Sequence, residues 1–170
     1  MNRKDLLIRQ NVGRKEIDNY ISKLNNILHI SLQKSDFLDL EKTDEIKNLF
    51  YESFNTSTMA LNKTYNDSES IALTNDIEIL AQQFQHKEVY LITKESEVCG
   101  AVKIPSVNAL NNFMAVIKLD GDSLNLITTD YLSYIYLDYY EEYGKFFYQL
   151  SVWGSVPPLS QSGASIGAGK

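Results

Sequence analysis

The segment Tyr131–Gly154 constrains the fold of this chain more than any other, because it encodes a β-hairpin with a defined register. Tyr143-Gly144 separates two runs of β-forming residues, which is the pattern of a two-residue turn. With that turn, Glu142 faces Lys145, and the numbers of every facing pair sum to 287. The segment therefore predicts an antiparallel sheet.

The predicted register sorts the side chains of this hairpin onto two faces. The first face suits the core and contains Ile135, Leu137 and Tyr139 opposite Val152, Leu150 and Tyr148. The second face is aromatic with polar tips and contains Tyr134, Tyr136, Asp138 and Tyr140 opposite Trp153, Ser151, Gln149 and Phe147. Tyr and Trp give large contact areas at low entropy cost, so this face is either a recognition surface or a core surface covered by N-terminal helices.

Two amphipathic helices are predicted near the N-terminus. Apolar residues recur at spacings of three and four in Arg14–Ile30, which indicates one helix. The same spacing predicts a second helix from Leu40 or Thr43 to about Phe54, with Thr43 as its expected N-cap.

The next segment, Asn55–Ser70, is rich in Asn, Ser and Thr and is predicted to be a loop. A third helix is expected to begin after Ser70 or Thr74, since Ile77, Leu80 and nearby apolar residues follow a helical spacing.

A second hairpin is predicted in the middle of the chain. Val89–Thr93 and Val98–Ile104 are both rich in β-branched residues and are joined by a short polar segment. Because both faces of these strands are apolar, the hairpin is expected to be central in the sheet and covered on both sides. Pro105 is expected to end the second strand, since proline cannot donate to a ladder.

The segment after Pro105 fits two structures. Ser106 is the expected cap of a helix that closes at Asp120-Gly121. The residues around Asp120-Gly121 also fit a hairpin with a type I′ turn. The helix is favoured, because Leu110, Phe113, Met114 and Ile117 form one apolar face.

These elements predict a single α+β domain over residues 1–154, with N-terminal helices packed on an antiparallel sheet of four or five strands. A chain of 170 residues suits one such domain. Residues 155–170 are rich in small residues and are predicted to form a flexible tail. The predicted core includes Ile17, Ile21, Leu24, Phe50, Leu91, Leu110, Ile135, Leu137, Leu150 and Val152.

No residue pattern in the chain indicates catalysis, a metal site or a cofactor. Cys99 stands among apolar neighbours, where a free cysteine is usually a small buried hydrophobe. Two histidines without a Cys-x-x-Cys pair do not make a zinc set. The protein is therefore predicted not to be an enzyme, and the rival hypothesis is a small enzyme that uses Cys99 as its nucleophile.

The charge distribution limits the classes of partner. A net charge of −6 argues against direct nucleic-acid binding, which depends on Lys and Arg. Residues 35–80 contain ten acidic and three basic residues, so this surface either keeps the protein soluble or steers a basic protein partner. Without a signal-like or membrane-length apolar run, the expected location is the cytoplasm and no membrane association is expected.

One part of the chain resembles a known class of proteins. Tyr136–Gly154, with the sequence YLDYYEEYGKFFYQLSVWG, preceded by DSLNLIT at 122–128, resembles the C-terminal hairpin of small immunity proteins from bacterial toxin–immunity systems. The resemblance extends over residues 86–154. It implies an α+β cytoplasmic protein that binds a cognate toxin domain, often a nuclease, and inactivates it by covering the active site. The residues within the pattern include Asp138, Glu141, Glu142, Tyr148 and Trp153.

Binding is accordingly predicted to use the acidic, tyrosine-rich surface of the final hairpin. The candidate contacts are Tyr134, Tyr136, Asp138, Tyr140, Glu141, Glu142 and Trp153. Aromatic anchors in a negative field suit a basic partner such as a nuclease toxin. An aromatic strand face can also self-associate, so the alternative function is that of a small homo-oligomeric structural or phage-type accessory protein, and the oligomeric state stays open.

Overall fold

A six-stranded antiparallel sheet forms the centre of the protein, with the strand order β1-β6-β5-β4-β2-β3. The computed structural model describes residues 3–154, without the side chains at 53–56 and 120. The strands are β1 (Met59–Asn66), β2 (Glu88–Ile92), β3 (Val102–Pro105), β4 (Ser123–Thr128), β5 (Ser133–Glu142) and β6 (Lys145–Gly154). The helices are α1 (Arg3–Leu28), α2 (Leu40–Thr56), α3 (Ser70–Gln83), α4 (Ser96–Cys99), α5 (Ser106–Asn111) and α6 (Phe113–Asp120). The predicted α+β class is confirmed.

Helices pack on both faces of the sheet. On the first face, α1, α3, α5 and α6 bury their apolar side chains against all six strands and form the main core. On the second face, α2 forms a smaller cluster through Ile46 and Phe50. The described helices therefore cover most of the first face and only one end of the second.

The final hairpin has the predicted register. Facing pairs run without a shift from Glu142 opposite Lys145 to Ser133 opposite Gly154. Tyr143 and Gly144 both have positive φ angles, 52° and 75°, as a type I′ turn requires. The predicted core face is also confirmed, because its six side chains all belong to or pack against the main core.

The predicted loop at Asn55–Ser70 is wrong, because it contains β1, which pairs antiparallel with β6. This is an edge strand, and most of its side chains are exposed and polar, so it lacks the apolar alternation of a half-buried strand. Tyr65 alone is fully buried. This unrecognised strand raises the strand number from the predicted four or five to six.

The second hairpin is confirmed only in part. Strands β2 and β3 pair antiparallel, with Val89 opposite Ile104, but residues 96–99 form α4 instead of strand. β3 also lies at an edge of the sheet, so the expected central position is wrong. The chain runs alongside this edge, where the Leu38 N–H donates to the Ala101 carbonyl at 2.9 Å.

The predicted helices form, but several of their ends differ. α1 begins at Arg3 rather than Arg14. Ser106 is the first residue of α5 and does not cap it, since its hydroxyl donates to the Phe84 carbonyl at 2.6 Å. Asn112 separates α5 from α6, and the competing hairpin around Asp120-Gly121 is wrong.

Most of the predicted core is confirmed. Leu24, Phe50, Leu91, Leu110, Ile135, Leu137, Leu150 and Val152 are buried. Ile17 and Ile21 are half-buried and pack against the main core. Among residues 3–154, no helix has both the length and the apolar composition that crossing a membrane would require. The predicted tail, residues 155–170, lies outside the described residues.

Thr43 attaches α2 to the sheet instead of capping the helix. Asp39 accepts the hydrogen bond from the Lys42 N–H at 2.7 Å, as an N-cap residue does. The Thr43 hydroxyl is fully buried, accepts from the Ala101 N–H at 2.9 Å and donates to the Asp39 carbonyl at 2.8 Å. This contact fixes α2 over the second face of the sheet.

Thr43→Val is expected to lower the free energy of unfolding by about 1–3 kcal/mol, because it leaves the buried Ala101 N–H without its acceptor. Urea denaturation followed by circular dichroism measures the change. Thr43→Ser keeps the hydroxyl and is the matched control, with a smaller loss. Equal stability of Thr43→Val and wild type would show that the hydroxyl does not hold α2.

Candidate protein-binding face

The helix α2 covers one end of the second sheet face. Phe50 makes edge-on contact with Tyr134, with ring centroids 6.2 Å apart. Tyr134 is only 7% exposed to solvent and Trp153 only 5%. Burial raises the pKa of Tyr134 above its ordinary value. These two rings are core residues of the α2 cluster.

The burial of Tyr134 and Trp153 corrects the predicted contact set. Both were candidate partner contacts because the register places them on the aromatic face, and they do lie on that face. The covering helix leaves them almost no surface for a partner. The aromatic face was predicted to be either a recognition surface or a core surface covered by helices. At the end covered by α2, it is a core surface.

The remainder of the second face is not covered by any described helix, and we call it the open face. Its side chains are exposed or half-buried and come from four strands. They are Asn62 and Thr64 of β1, Phe147 and Gln149 of β6, Tyr136, Asp138 and Tyr140 of β5, and Ser123 and Asn125 of β4. Such a mixture of amides, hydroxyls and rings suits recognition of a protein surface.

Amide side chains form hydrogen bonds across the open face. The Asn62 Oδ1 atom accepts from Gln149 Nε2 at 3.1 Å and from the Ser151 hydroxyl at 3.2 Å. On the other side of β5, Asn125 Nδ2 donates to the Ser123 hydroxyl at 2.9 Å. These bonds hold the polar groups in fixed positions, and a surface ordered in this way has a lower entropy cost of binding.

The aromatic side chains of the open face are also held in place. Tyr140 stacks on Phe147, its partner across the hairpin, with ring centroids 5.7 Å apart and planes at 25°. Tyr136 is half-buried and makes edge-on contact with Phe50 of α2, with ring centroids 6.4 Å apart. Both predicted contacts therefore remain accessible in part.

The three predicted carboxylates divide between the two sides of the hairpin. Asp138 and Glu142 share the side of Tyr140, because side chains alternate along a strand. Glu141 is exposed but lies on the opposite side with Tyr139. The open face thus carries Asp138 and, at its tip, Glu142 beside Lys145.

Tyr143 is an accessible residue that the sequence analysis treated only as a turn. It is 95% exposed at the hairpin tip and has a φ angle of 52°. Asn, Asp and Gly are the usual residues at this position of a type I′ turn. A tyrosine there departs from the turn pattern, and that departure is the signal that marks it as a candidate contact.

A cleft of about 320 Å³ lies between α2 and the open face. Tyr51 of α2 and Tyr136 line it, together with the side chains of Lys47 and Lys94. Lys47 forms an ion pair with Glu97. These residues are far apart in the sequence, so only the packing of α2 brings them together. Glu97 also lines the cleft and offsets the charge of Lys47.

Neither metal chemistry nor thiol chemistry is indicated at the face. Among the side chains that the structure describes, no group of three or more from His, Cys, Asp or Glu is placed to hold a metal ion. Cys99 lies in α4 and is 8% exposed. Burial raises the pKa of its thiol to about 11.

Cys99 is expected to react slowly with iodoacetamide in the native protein. A pKa raised from 9.0 to about 11 lowers the thiolate fraction at neutral pH by roughly 100-fold, and burial restricts access further. Alkylation rates in native buffer and in urea measure the difference. Fast native alkylation at neutral pH would support the rival hypothesis of a Cys99 enzyme.

Comparison of the chain with protein-family models, with curated proteins and with solved structures gives no match. The functional argument therefore depends on the site itself.

Proposed function

We propose that this protein is an immunity protein that binds a cognate bacterial toxin domain and blocks its active site. The observation that carries the proposal is the open face, where Tyr136, Asp138 and Tyr140 are displayed with ordered amides next to an exposed hairpin tip. A pre-ordered surface lowers the entropy cost of binding, and inhibition by covering an active site needs no reactive group.

Charge supports a basic partner. The chain has a net charge of −6, and Asp138 lies on the open face, where Glu142 and Lys145 face each other and offset each other's charge. A nuclease toxin has a cleft that attracts phosphate, so its active site is attractive to an acidic surface. Such complementarity raises the association rate more than the affinity.

The buried thiol also favours a binding protein over the rival enzyme. A nucleophilic cysteine is usually accessible and has a lowered pKa. Cys99 is buried and its pKa is raised to about 11. The open face, in contrast, has accessible aromatic and charged side chains together on one surface.

Co-expression with the product of the gene immediately upstream tests the proposal. That product is expected to stop growth when expressed alone, and this protein is expected to restore growth and to co-purify with it. A folded protein that neither binds the product nor restores growth would contradict the proposal.

A further inference from the structure

The two edges of the sheet differ in how they are covered. At the β3 edge, Phe37 bridges to Val102, and the Leu38 N–H donates to the Ala101 carbonyl. At the opposite edge, no backbone segment within residues 3–154 pairs with the outer side of β1. The β3 edge is therefore covered at one end, near Val102, whereas the outer side of β1 has no backbone partner among residues 3–154.

The register identifies the backbone groups that point outward from β1. The two-residue turn makes Glu142 and Lys145 a hydrogen-bonded pair, so alternate residues of β6 bond to β1. The Gly154 N–H donates to the Thr58 carbonyl at 2.9 Å, which agrees with this alternation. The backbone groups of Asn62 and Thr64 consequently point away from β6.

β1 has two of the usual protections of an edge strand, but each is limited. Natural edges are often blocked by a charged side chain on the core side of the strand or by a bulge. Lys63 is such a side chain, but its ammonium is paired with Asp76 of α3 at 2.8 Å, so its charge is compensated. The register shift between Met59 and Leu61 disturbs only one end of β1. Asn62 and Thr64 therefore remain accessible for pairing.

We propose that an extended strand of the toxin adds to the outer edge of β1, antiparallel or parallel, and continues the sheet. This inference rests on the proposed function and identifies backbone pairing as part of the recognition. The side chains of Asn62 and Thr64 lie on the open face, so an added strand is continuous with that surface. Main-chain hydrogen bonds supply affinity in this mode, and neighbouring side chains supply specificity.

The size of the contact favours the toxin over a second copy of this chain. β1 has eight residues, whereas a standard interface uses about 20–30 residues a side. A pair of β1 strands alone falls well short of that size. A toxin that adds a strand at β1 and also covers the open face contacts a larger surface, because the open-face side chains of β6, β5 and β4 lie next to those of β1.

The chemistry expected of the added toxin strand follows from the side chains of β1 beside which it would lie. Its side chains on the open-face side lie beside the amide of Asn62 and the hydroxyl of Thr64, so polar residues are expected there. On the other side they lie beside Leu61 and the Lys63–Asp76 ion pair. The expected ligand is an extended polypeptide segment with polar side chains on one face.

Thr64→Pro tests the inference, because proline removes an outward N–H that β1 does not use for pairing with β6. Binding of the toxin, supplied as the upstream gene product, is expected to weaken by roughly tenfold or more. Thr64→Ala keeps the N–H but removes the hydroxyl from the open face, so its binding is expected to lie between that of wild type and that of Thr64→Pro. An equal loss in both variants would assign the effect to the side chain and would also overturn the inference. A folded Thr64→Pro variant that binds as tightly as wild type would overturn the inference.

Amide hydrogen exchange of the wild-type protein provides a second readout that needs no variant. The Asn62 and Thr64 amides are expected to exchange rapidly in the free protein and slowly in the complex. Rapid exchange of both amides in the complex would also overturn the inference.

Two further results separate this inference from the proposed function. If wild type binds and Thr64→Pro binds equally well, the edge is excluded while the function stands. If wild type does not bind the toxin, the proposed function itself fails. Sedimentation of the isolated chain is expected to show a monomer, and a dimer that Thr64→Pro dissociates would assign the edge to a second copy instead.

Discussion

Tyr140→Ala is expected to weaken toxin binding by roughly 30-fold, mainly through faster dissociation. The ring is stacked on Phe147 and half-buried, so it is held in one orientation before binding. Central aromatic residues of this kind commonly contribute about 2 kcal/mol or more to an interface. Surface plasmon resonance against the purified toxin measures both rates.

The fold is expected to tolerate Tyr140→Ala. Loss of one cross-strand aromatic pair costs about 0.2–1 kcal/mol, which is small for a domain of this size. Unchanged circular dichroism would therefore assign the loss of binding to the missing contact. Unchanged affinity of the folded variant would remove Tyr140 from the interface.

Asp138→Lys is the electrostatic counterpart of this experiment. Reversal of the charge is expected to slow association, and the difference from wild type is expected to shrink as salt is raised. Glu78→Lys, an exposed charge reversal on α3, is the matched control and is expected to have little effect. Equal slowing by both variants would indicate net charge rather than the open face.

Gly13→Ala is expected to lower the free energy of unfolding by about 1–3 kcal/mol. Gly13 is buried where α1 crosses α4, and a Cβ atom there would lie 1.9 Å from the Val98 carbonyl oxygen. Alanine in a helix favours stability by about 1 kcal/mol over glycine, but a backbone contact this short forces the two helices apart. The steric cost is expected to exceed the gain in propensity.

Asn11→Ala is the control for this substitution, because Asn11 is exposed on the same helix. It is expected to be neutral or slightly stabilising, as helix propensity alone predicts. Thermal unfolding of both variants gives the comparison. A Gly13→Ala protein more stable than wild type would show that α1 does not approach α4 this closely.

Local patterns were sufficient to predict the final hairpin. Its register follows from one turn, Tyr143-Gly144, and from a side-chain period of two, so no distant contact is needed. The amphipathic part of α1 was predicted for the same reason. Its first turns were missed, because Leu7, Ile8 and Val12 are exposed and give no buried stripe.

The features that depend on distant contacts were not predictable in this way. β1 is stabilised by pairing with β6, almost ninety residues later, and its own side chains are largely polar. The burial of Tyr134 depends on the docking of α2, which Thr43 fixes through the Ala101 N–H. A contact made by one hydroxyl leaves no periodic pattern in the sequence, so it could not be predicted from local spacing.

The candidate site shows the same division. The side of the hairpin that carries Tyr136, Asp138 and Tyr140 follows from the register. How much of this side is exposed depends on where α2 ends over the sheet. The register of the hairpin alone does not predict that position. The contribution of Asn62 to this face became visible only with β1.

Hydrogen exchange of the whole protein, free and bound to the toxin, tests the location of the binding face most directly. The account predicts new protection in β5 and β6 around Tyr140, with no change in α3. Protection confined to α2 and its acidic neighbours in residues 35–80, with none in the hairpin, would contradict it.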